Sequence, residues 1–174
     1  ASSSGHVQTG DVVHLSFPET NGDCHVKSGH IRYTDSYVIK IASGFYDNPS
    51  KGLPSSNGMM LAFSARTGEP TAILRDEGWL TDMRTGIGGA IATKALAAKY
   101  AKRVLIIGSG IQAQFQANCL ASLMPERPLN FNIWGRNSSA ASALVEELQS
   151  NNLNADFVTN LDEEVSLADI IITT

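Results

Sequence analysis

An apolar run, Val104-Leu105-Ile106-Ile107, passes directly into Gly108-Ser109-Gly110-Ile111-Gln112-Ala113, and an apolar-rich stretch continues to Leu123. No other feature narrows the fold as much as this succession of strand, G-x-G-x-x-A turn and helix. Gly108 permits the tight turn, Gly110 lets the backbone approach a pyrophosphate, and Ala113 lets the helix lie close to the sheet. A helix opening at Ile111 offers its first N–H groups, Gln112 among them, to phosphate oxygens. Glycines at a strand end also make purely structural turns, so the flanking pattern decides. From Arg103 onward the chain alternates strand and helix. Strands are expected at Val104 to Ile107, Phe131 to Trp134, Ala155 to Val158 and Asp169 to Thr173. Helices are expected over about Ile111 to Leu123 and Ser138 to Gln149, with a short one before the last strand. That alternation predicts an α/β fold with a doubly wound parallel sheet of the Rossmann type, and the turn then reads as a dinucleotide site.

The end of the second strand bears on which nicotinamide cofactor fits. NAD sites place Asp or Glu there for the ribose hydroxyls, whereas NADP sites carry small and basic residues. Here the chain reads Ile133-Trp134-Gly135-Arg136-Asn137-Ser138, with no acid. Arg136 suits a 2′-phosphate, Asn137 and Ser138 add hydrogen bonds, and NADP(H) is favoured with NAD(H) possible. The alternative is that Arg136 is a solvated surface charge. Thr173 lies at the C-terminal edge of the fourth strand, where such sheets bind ligand, and is a further cofactor candidate. A dinucleotide domain has two βαβαβ halves, so a chain ending on its fourth strand is expected to be a fragment.

The N-terminal half has a different texture. Short apolar runs alternate with turn chemistry: Val12 to Leu15, Tyr37 to Ala42, Met59 to Ser64, and Thr71 to Leu74 after the turn Thr67-Gly68-Glu69-Pro70. These runs predict a mainly antiparallel β-domain with one hairpin at that turn. Tyr46 to Gly58, dense in Pro, Gly, Ser and Asn, is expected to be a long loop. Thr81 or Asp82 is expected to cap a helix from Met83 to Tyr100, in which Gly86, Gly88, Gly89 and Ala90 imply close packing against another backbone. The expected organisation is therefore β-rich residues 1–80, a connecting helix over 81–102, and the first part of a dinucleotide domain over 103–174.

The 174 residues carry 43% apolar and 17% charged side chains, a globular balance. With 13 Lys+Arg against 17 Asp+Glu and no run of like charge, neither a nucleic-acid footprint nor a basic membrane patch is present. Cys24 and Cys119 stand far apart, and Cys119 has no second thiol or histidine at metal spacing. No disulfide framework or metal centre is expected, and a reducing cytoplasmic compartment fits. The opening Ala1-Ser2-Ser3-Ser4-Gly5 has no basic and apolar regions of a leader, and no stretch reaches the roughly 18 apolar residues of a membrane helix. A soluble, unprocessed chain is expected.

Several motifs together resemble the ornithine cyclodeaminase and mu-crystallin family. They are Val38-Ile39-Lys40-Ile41, Gly52-Leu53-Pro54-Ser55, Thr67-Gly68-Glu69-Pro70, Leu80-Thr81-Asp82-Met83-Arg84-Thr85, Ala90-Ile91-Ala92-Thr93-Lys94 and the turn from Ile107 to Ala113, all in the family's order. The segment Lys40 to Met60 is most similar to the branch containing ectoine-utilisation cyclodeaminase-like proteins. The resemblance implies a substrate and dimerisation domain beside a Rossmann domain, with a homodimer formed through the β-rich part. It also implies a small 2-imino or 2-amino carboxylate as substrate.

By the same resemblance, the substrate-anchoring lysine falls on Lys40 and the arginine on Arg84, which is also placed to touch a cofactor phosphate. Lys27 falls on a position that lines the substrate pocket, and Ser55 and Ser56 fall near the cofactor. The residues give their own reasons for two of these. Lys40 interrupts an apolar run, where an inward lysine needs an anion. Arg84 would open a helix, where the macrodipole disfavours a cation unless an anion is also bound. The alternatives are a strand lysine facing water and an ion pair of Arg84 with Asp76 or Glu77. Two departures stand out: the family's arginine near Gln8 to Val12 is missing, and the catalytic aspartate of the cyclodeaminases would lie beyond Thr174. The implied activity is an imine reductase or amino acid dehydrogenase, with a redox-neutral ornithine cyclodeaminase and a non-catalytic cofactor-binding protein as alternatives.

Overall fold

The computed structural model describes residues 4–174; Ala1, Ser2 and Ser3, part of the opening expected to carry no leader, lie outside the described residues. Two compact units meet in sequence between Leu80 and Thr81. The first is an antiparallel sheet of β1 (Val7–Thr9), β2 (Val13–Phe17), β3 (Gly22–Ile31), β4 (Ser36–Phe45), β5 (Ser56–Ser64) and β6 (Pro70–Leu74). The order is β1-β3-β4-β5-β6, and β2 pairs β3 along the same strand that holds β1. The β5–β6 hairpin forms at the expected turn, where Gly68 sits at φ 75° and donates its N–H to Ser64 O at 3.0 Å.

Three expectations for this unit need correction. Strands β1 and β3 were not anticipated, although β3 is ten residues long and pairs along both its edges. The loop from Tyr46 is shorter than expected: a 3₁₀ turn occupies Asn48–Lys51, and Ser56 to Gly58 already pair in β5. The helix α1 runs Trp79–Leu96 rather than Met83 to Tyr100, so neither Thr81 nor Asp82 is its cap. Asp76 does that work instead, accepting the Leu80 N–H at 2.8 Å, after a left-handed Glu77-Gly78 turn (φ 52° and 92°) reverses the chain.

Register divides the first sheet into two unlike faces, because side chains alternate along each strand. One face carries His14, Asp23, His25, Lys27 and Lys40; the other carries Leu15, Val26, Ile39, Ile41, Leu61 and Phe63. Among the described residues, every member of the buried apolar core belongs to the second unit, so within the first unit that apolar face stays only half-covered.

The second unit continues α1 and adds β7 (Arg103–Ile107), α2 (Ile111–Leu123), β8 (Asn130–Trp134), α3 (Ser138–Ser150), β9 (Asn154–Phe157), α4 (Leu161–Leu167) and β10 (Ile170–Thr173). Its four parallel strands lie in the order β10-β7-β8-β9, the doubly wound arrangement expected. Strand β7 is buried on both sides through Val104, Leu105 and Ile106, as a strand covered by helices on both faces must be. Its start is fixed by Asp169, whose carboxylate accepts from Lys102 N–H and Arg103 N–H at 2.8 and 2.9 Å, which holds its pKa below the usual value. Arg103 also grips Glu164 of α4 with Nη2 at 2.7 Å.

Helix α1 lies close against α2. A Cβ on Gly86 would sit 2.8 Å from Phe115 O, and one on Gly89 would strike the Gln116 amide. Gly88 is different from the expectation, since a Cβ there would meet nothing within 4 Å. Among the described residues, no helix is long and apolar enough to cross a membrane.

Candidate functional site

The turn after β7 has the backbone its sequence requires. Gly108 adopts φ 142°, a region closed to most side chains, and donates its N–H to Trp134 O at 2.8 Å. A Cβ on Gly108 would strike the Thr174 hydroxyl, so the turn fits against the end of β10. Ala113 is wholly buried, which lets α2 lie on the sheet. Gly110 differs in kind: its backbone is extended (φ −90°, ψ −175°), and an added Cβ would meet nothing within 4 Å. No packing contact among the described residues demands glycine there. The space it leaves open lies at the start of α2, where helix N–H groups and the dipole favour an anion.

A cleft of about 600 Å³ opens at the C-terminal ends of β7 and β8. Gly108, Ser109, Gly110, Trp134, Arg136 and Asn137 line it. Thr174, whose N–H bonds Ile107 O at 3.0 Å, closes its far side. Such sheets bind ligands outside the strand ends where the strand order reverses, here between β7 and β10. The cleft, the open space at Gly110 and the helix N-terminus together fit a dinucleotide.

The structure brings Gly108, Gly110, Arg136 and Asn137 together in this cleft. Ile111, Gln112 and Ala113 follow on α2 and are not among the cleft's lining residues, and neither are Ser138 and Thr173. Arg136 is exposed at the rim. Asn137 is the N-cap of α3, its Oδ1 accepting the Ala140 N–H at 3.1 Å, which leaves its amide nitrogen to donate to a ligand. The Gln112 side chain turns away to α1, donating Nε2 to Asp82 Oδ1 at 2.7 Å while its own Oε1 is buried with no partner.

Ser109, Trp134, Gly135 and Thr174 were missed from sequence. Gly135 had a signal, a glycine directly after an apolar strand: a Cβ there would come 2.9 Å from Ser109 Oγ, so its absence lets the turn and the end of β8 approach.

Lys27, Lys40, Ser55 and Ser56 belong to the first unit and Arg84 to the second. Lys27 and Lys40 are register partners on β3 and β4, the first exposed and the second half-buried. Ser56 begins β5, and Ser55 O accepts the Phe45 N–H at 2.7 Å. Arg84 is exposed in the second turn of α1, because the helix begins at Trp79. The expectation that it opens a helix is therefore wrong, and the dipole, which fades beyond the first turn, gives it little reason to attract an anion. A second cavity of about 550 Å³ between α1 and α2 is lined by apolar and neutral polar groups such as Met83, Ile87 and Phe115. Its one titrating side chain is Cys119, whose thiol pKa is raised by burial.

Comparison with known proteins gives concordant results. The model of the ornithine cyclodeaminase/mu-crystallin family matches residues 1–174. An uncharacterized cyclodeaminase, y4tK, of Sinorhizobium fredii is 40% identical over 167 residues, 94% of this chain and 49% of its own. The structure is similar to that of Thermococcus litoralis Delta(1)-pyrroline-2-carboxylate reductase in complex with NADH and L-proline. That match has a TM-score of 0.89 and 27% identity, and covers 98% of this chain and 52% of that one. It is also similar to an archaeal alanine dehydrogenase dimer with bound NAD, with a TM-score of 0.84, 27% identity, and 99% and 51% coverage. The chain spans about half the length of the curated relatives it matches.

Proposed function

This chain belongs to the ornithine cyclodeaminase/mu-crystallin family, and on that premise we propose that the full-length protein is a nicotinamide-dependent oxidoreductase acting on a small 2-imino or 2-amino carboxylate. The observation that carries this is Gly110, a glycine whose missing Cβ leaves open space rather than a packing contact, lining a cleft of dinucleotide size. Bound there, the nicotinamide supplies hydride chemistry at the substrate carbon beside the carboxylate.

The chain's own residues position the reactants. Gly108 and Gly110 shape the turn, and the N–H groups of Ile111 and Gln112 offer donors to the pyrophosphate. Arg136, with Ser138 and the Asn137 amide nitrogen, gives NADP(H) preference over NAD(H), since no carboxylate follows Trp134 to take the ribose hydroxyls. Thr173, Ser55 and Ser56 are assigned to the cofactor as well. Lys40, Lys27 and Arg84 are assigned to the substrate carboxylate, with Lys40 and Arg84 acting at the reacting centre. The support is that Lys27 and Lys40 are register partners on β3 and β4, which places both on one face of the first sheet.

A second copy of the chain is assigned to the apolar face of the first sheet. The support is the continuity of that face and the dimer formed by the archaeal alanine dehydrogenase. The free thiols Cys24 and Cys119 suit a reducing compartment such as the cytoplasm.

The test is to incubate the full-length protein with NADPH and Delta(1)-pyrroline-2-carboxylate and follow the loss of reduced-cofactor absorbance. Lys40→Ala should raise the apparent substrate constant with cofactor affinity unchanged. A relative named a cyclodeaminase at 40% identity favours a second reading, a redox-neutral lyase. Ammonia release from L-ornithine without net change in cofactor would establish that reading and overturn the first, and cofactor binding without either turnover would overturn both.

A further inference from the structure

The first sheet also places two imidazoles and a carboxylate together, on the face that carries Lys27 and Lys40, with His25 two residues before Lys27 on β3. His14 on β2 and His25 on β3 are register partners, and their rings lie nearly parallel, 19° apart, with centroids 4.6 Å from each other. Asp23 lies two residues before His25, on the same face, with Oδ1 3.7 Å from His25 Nδ1. One ligand atom from each of the three residues falls within 4.8 Å of the others.

Two ligands about 2.0–2.1 Å from a tetrahedral ion stand about 3.4 Å apart. The gap between Asp23 and His25 is therefore already near the bite of such an ion. It is also too long for a hydrogen bond between them. The carboxylate is held from behind: Tyr46 Oη donates to Asp23 Oδ2 at 3.0 Å, leaving Oδ1 facing the imidazoles. Metal sites characteristically orient their ligands through such outer partners.

We infer that His14, Asp23 and His25 form a binding site for a divalent transition-metal ion of the class that favours imidazole, Zn²⁺ foremost, with an open fourth position. Two nitrogens and one carboxylate oxygen suit Zn²⁺ and are poor ligands for Mg²⁺ or Ca²⁺, which take oxygen shells. Bound there, the ion ties β2 to β3. These three residues belong to the first unit and the cleft residues to the second, and the inference does not depend on the proposed reaction.

The test is calorimetric titration of the full-length protein, free of any histidine tag, with Zn²⁺ and separately with Mg²⁺. One Zn²⁺ per chain and no Mg²⁺ are expected. His14 is exposed, so His14→Ala keeps the fold, checked by circular dichroism, and should abolish that binding. Tyr46→Phe should weaken it about 10–100-fold, as loss of an outer partner does, and Co²⁺ should give a visible spectrum that His14→Ala removes. No Zn²⁺ bound by the wild type, or binding unchanged in His14→Ala, would overturn the site and leave the histidines as a cross-strand stack.

Discussion

Gln112, in the first turn of α2, donates its amide to the carboxylate of Asp82 on α1 at 2.7 Å. A carboxylate only accepts, so the amide nitrogen must face Asp82, and Gln112 Oε1 is left buried without a partner. The helix that follows the glycine turn is in this way tied to the helix that carries Arg84. A hydrogen bond to a charged group is worth about 1.5–3 kcal/mol. Gln112→Leu should therefore lower stability by roughly that amount, offset in part by removal of the orphaned oxygen. Asp82→Asn, which still accepts, should lose less than half as much. Urea denaturation of the three proteins measures both, and equal stabilities would show that the bond contributes nothing.

Arg136 tests the cofactor preference. A charge-assisted pair with a 2′-phosphate is worth about 1.5–3 kcal/mol, or roughly 10–100-fold in affinity. NADPH should bind the full-length protein more tightly than NADH by that factor, and Arg136→Asp should reverse the order. Fluorescence titration with both cofactors decides it, and equal affinities in the wild type would refute the preference.

The dinucleotide unit was legible because its signals are local. Gly108 to Ala113 lie in one turn, and the strands beside them are unbroken apolar runs, so α2 falls where expected, Ile111–Leu123. Strand β3 was not legible for an equally physical reason. Its sequence, Gly22-Asp23-Cys24-His25-Val26-Lys27-Ser28-Gly29-His30-Ile31, is rich in turn-forming and charged residues, and it is a strand only because neighbours pair with it along both edges. The Asp76 cap was hidden behind Glu77-Gly78, which reads as a break and acts as the turn into α1. The Gln112–Asp82 bond joins residues thirty apart, and no local spacing announces it.

The apolar face of the first sheet tests the assembly. Leu61 lies on that face between Ile39 and Ile73. A carboxylate buried there without a partner costs several kcal/mol. The wild type should run as a dimer in light scattering, and Leu61→Asp should run as a folded monomer. A dimer that survives the substitution would place the interface elsewhere.

Asp169 predicts a pH effect of fixed sign. Its pKa is lowered in the fold by the Lys102 and Arg103 N–H groups, so its contribution to stability is fully present above the usual carboxylate range. That contribution is lost as pH falls through the lowered value. Denaturation midpoints of wild type and Asp169→Asn should differ at neutral pH, and the gap should close in strong acid. A gap that stays constant would mean that the carboxylate charge plays no part.

Gly110 offers the most direct measurement. Its extended backbone accepts a side chain and its missing Cβ faces open space, so Gly110→Val should fold, losing only the about 1 kcal/mol that an apolar residue costs at the N-cap of α2. If a pyrophosphate lies against that backbone, the valine occupies its place. NADPH affinity of the full-length protein, read by fluorescence titration, should then fall by at least about 100-fold, equivalent to about 2.7 kcal/mol. A valine variant that binds NADPH as tightly as wild type would contradict the assignment of this cleft to a dinucleotide.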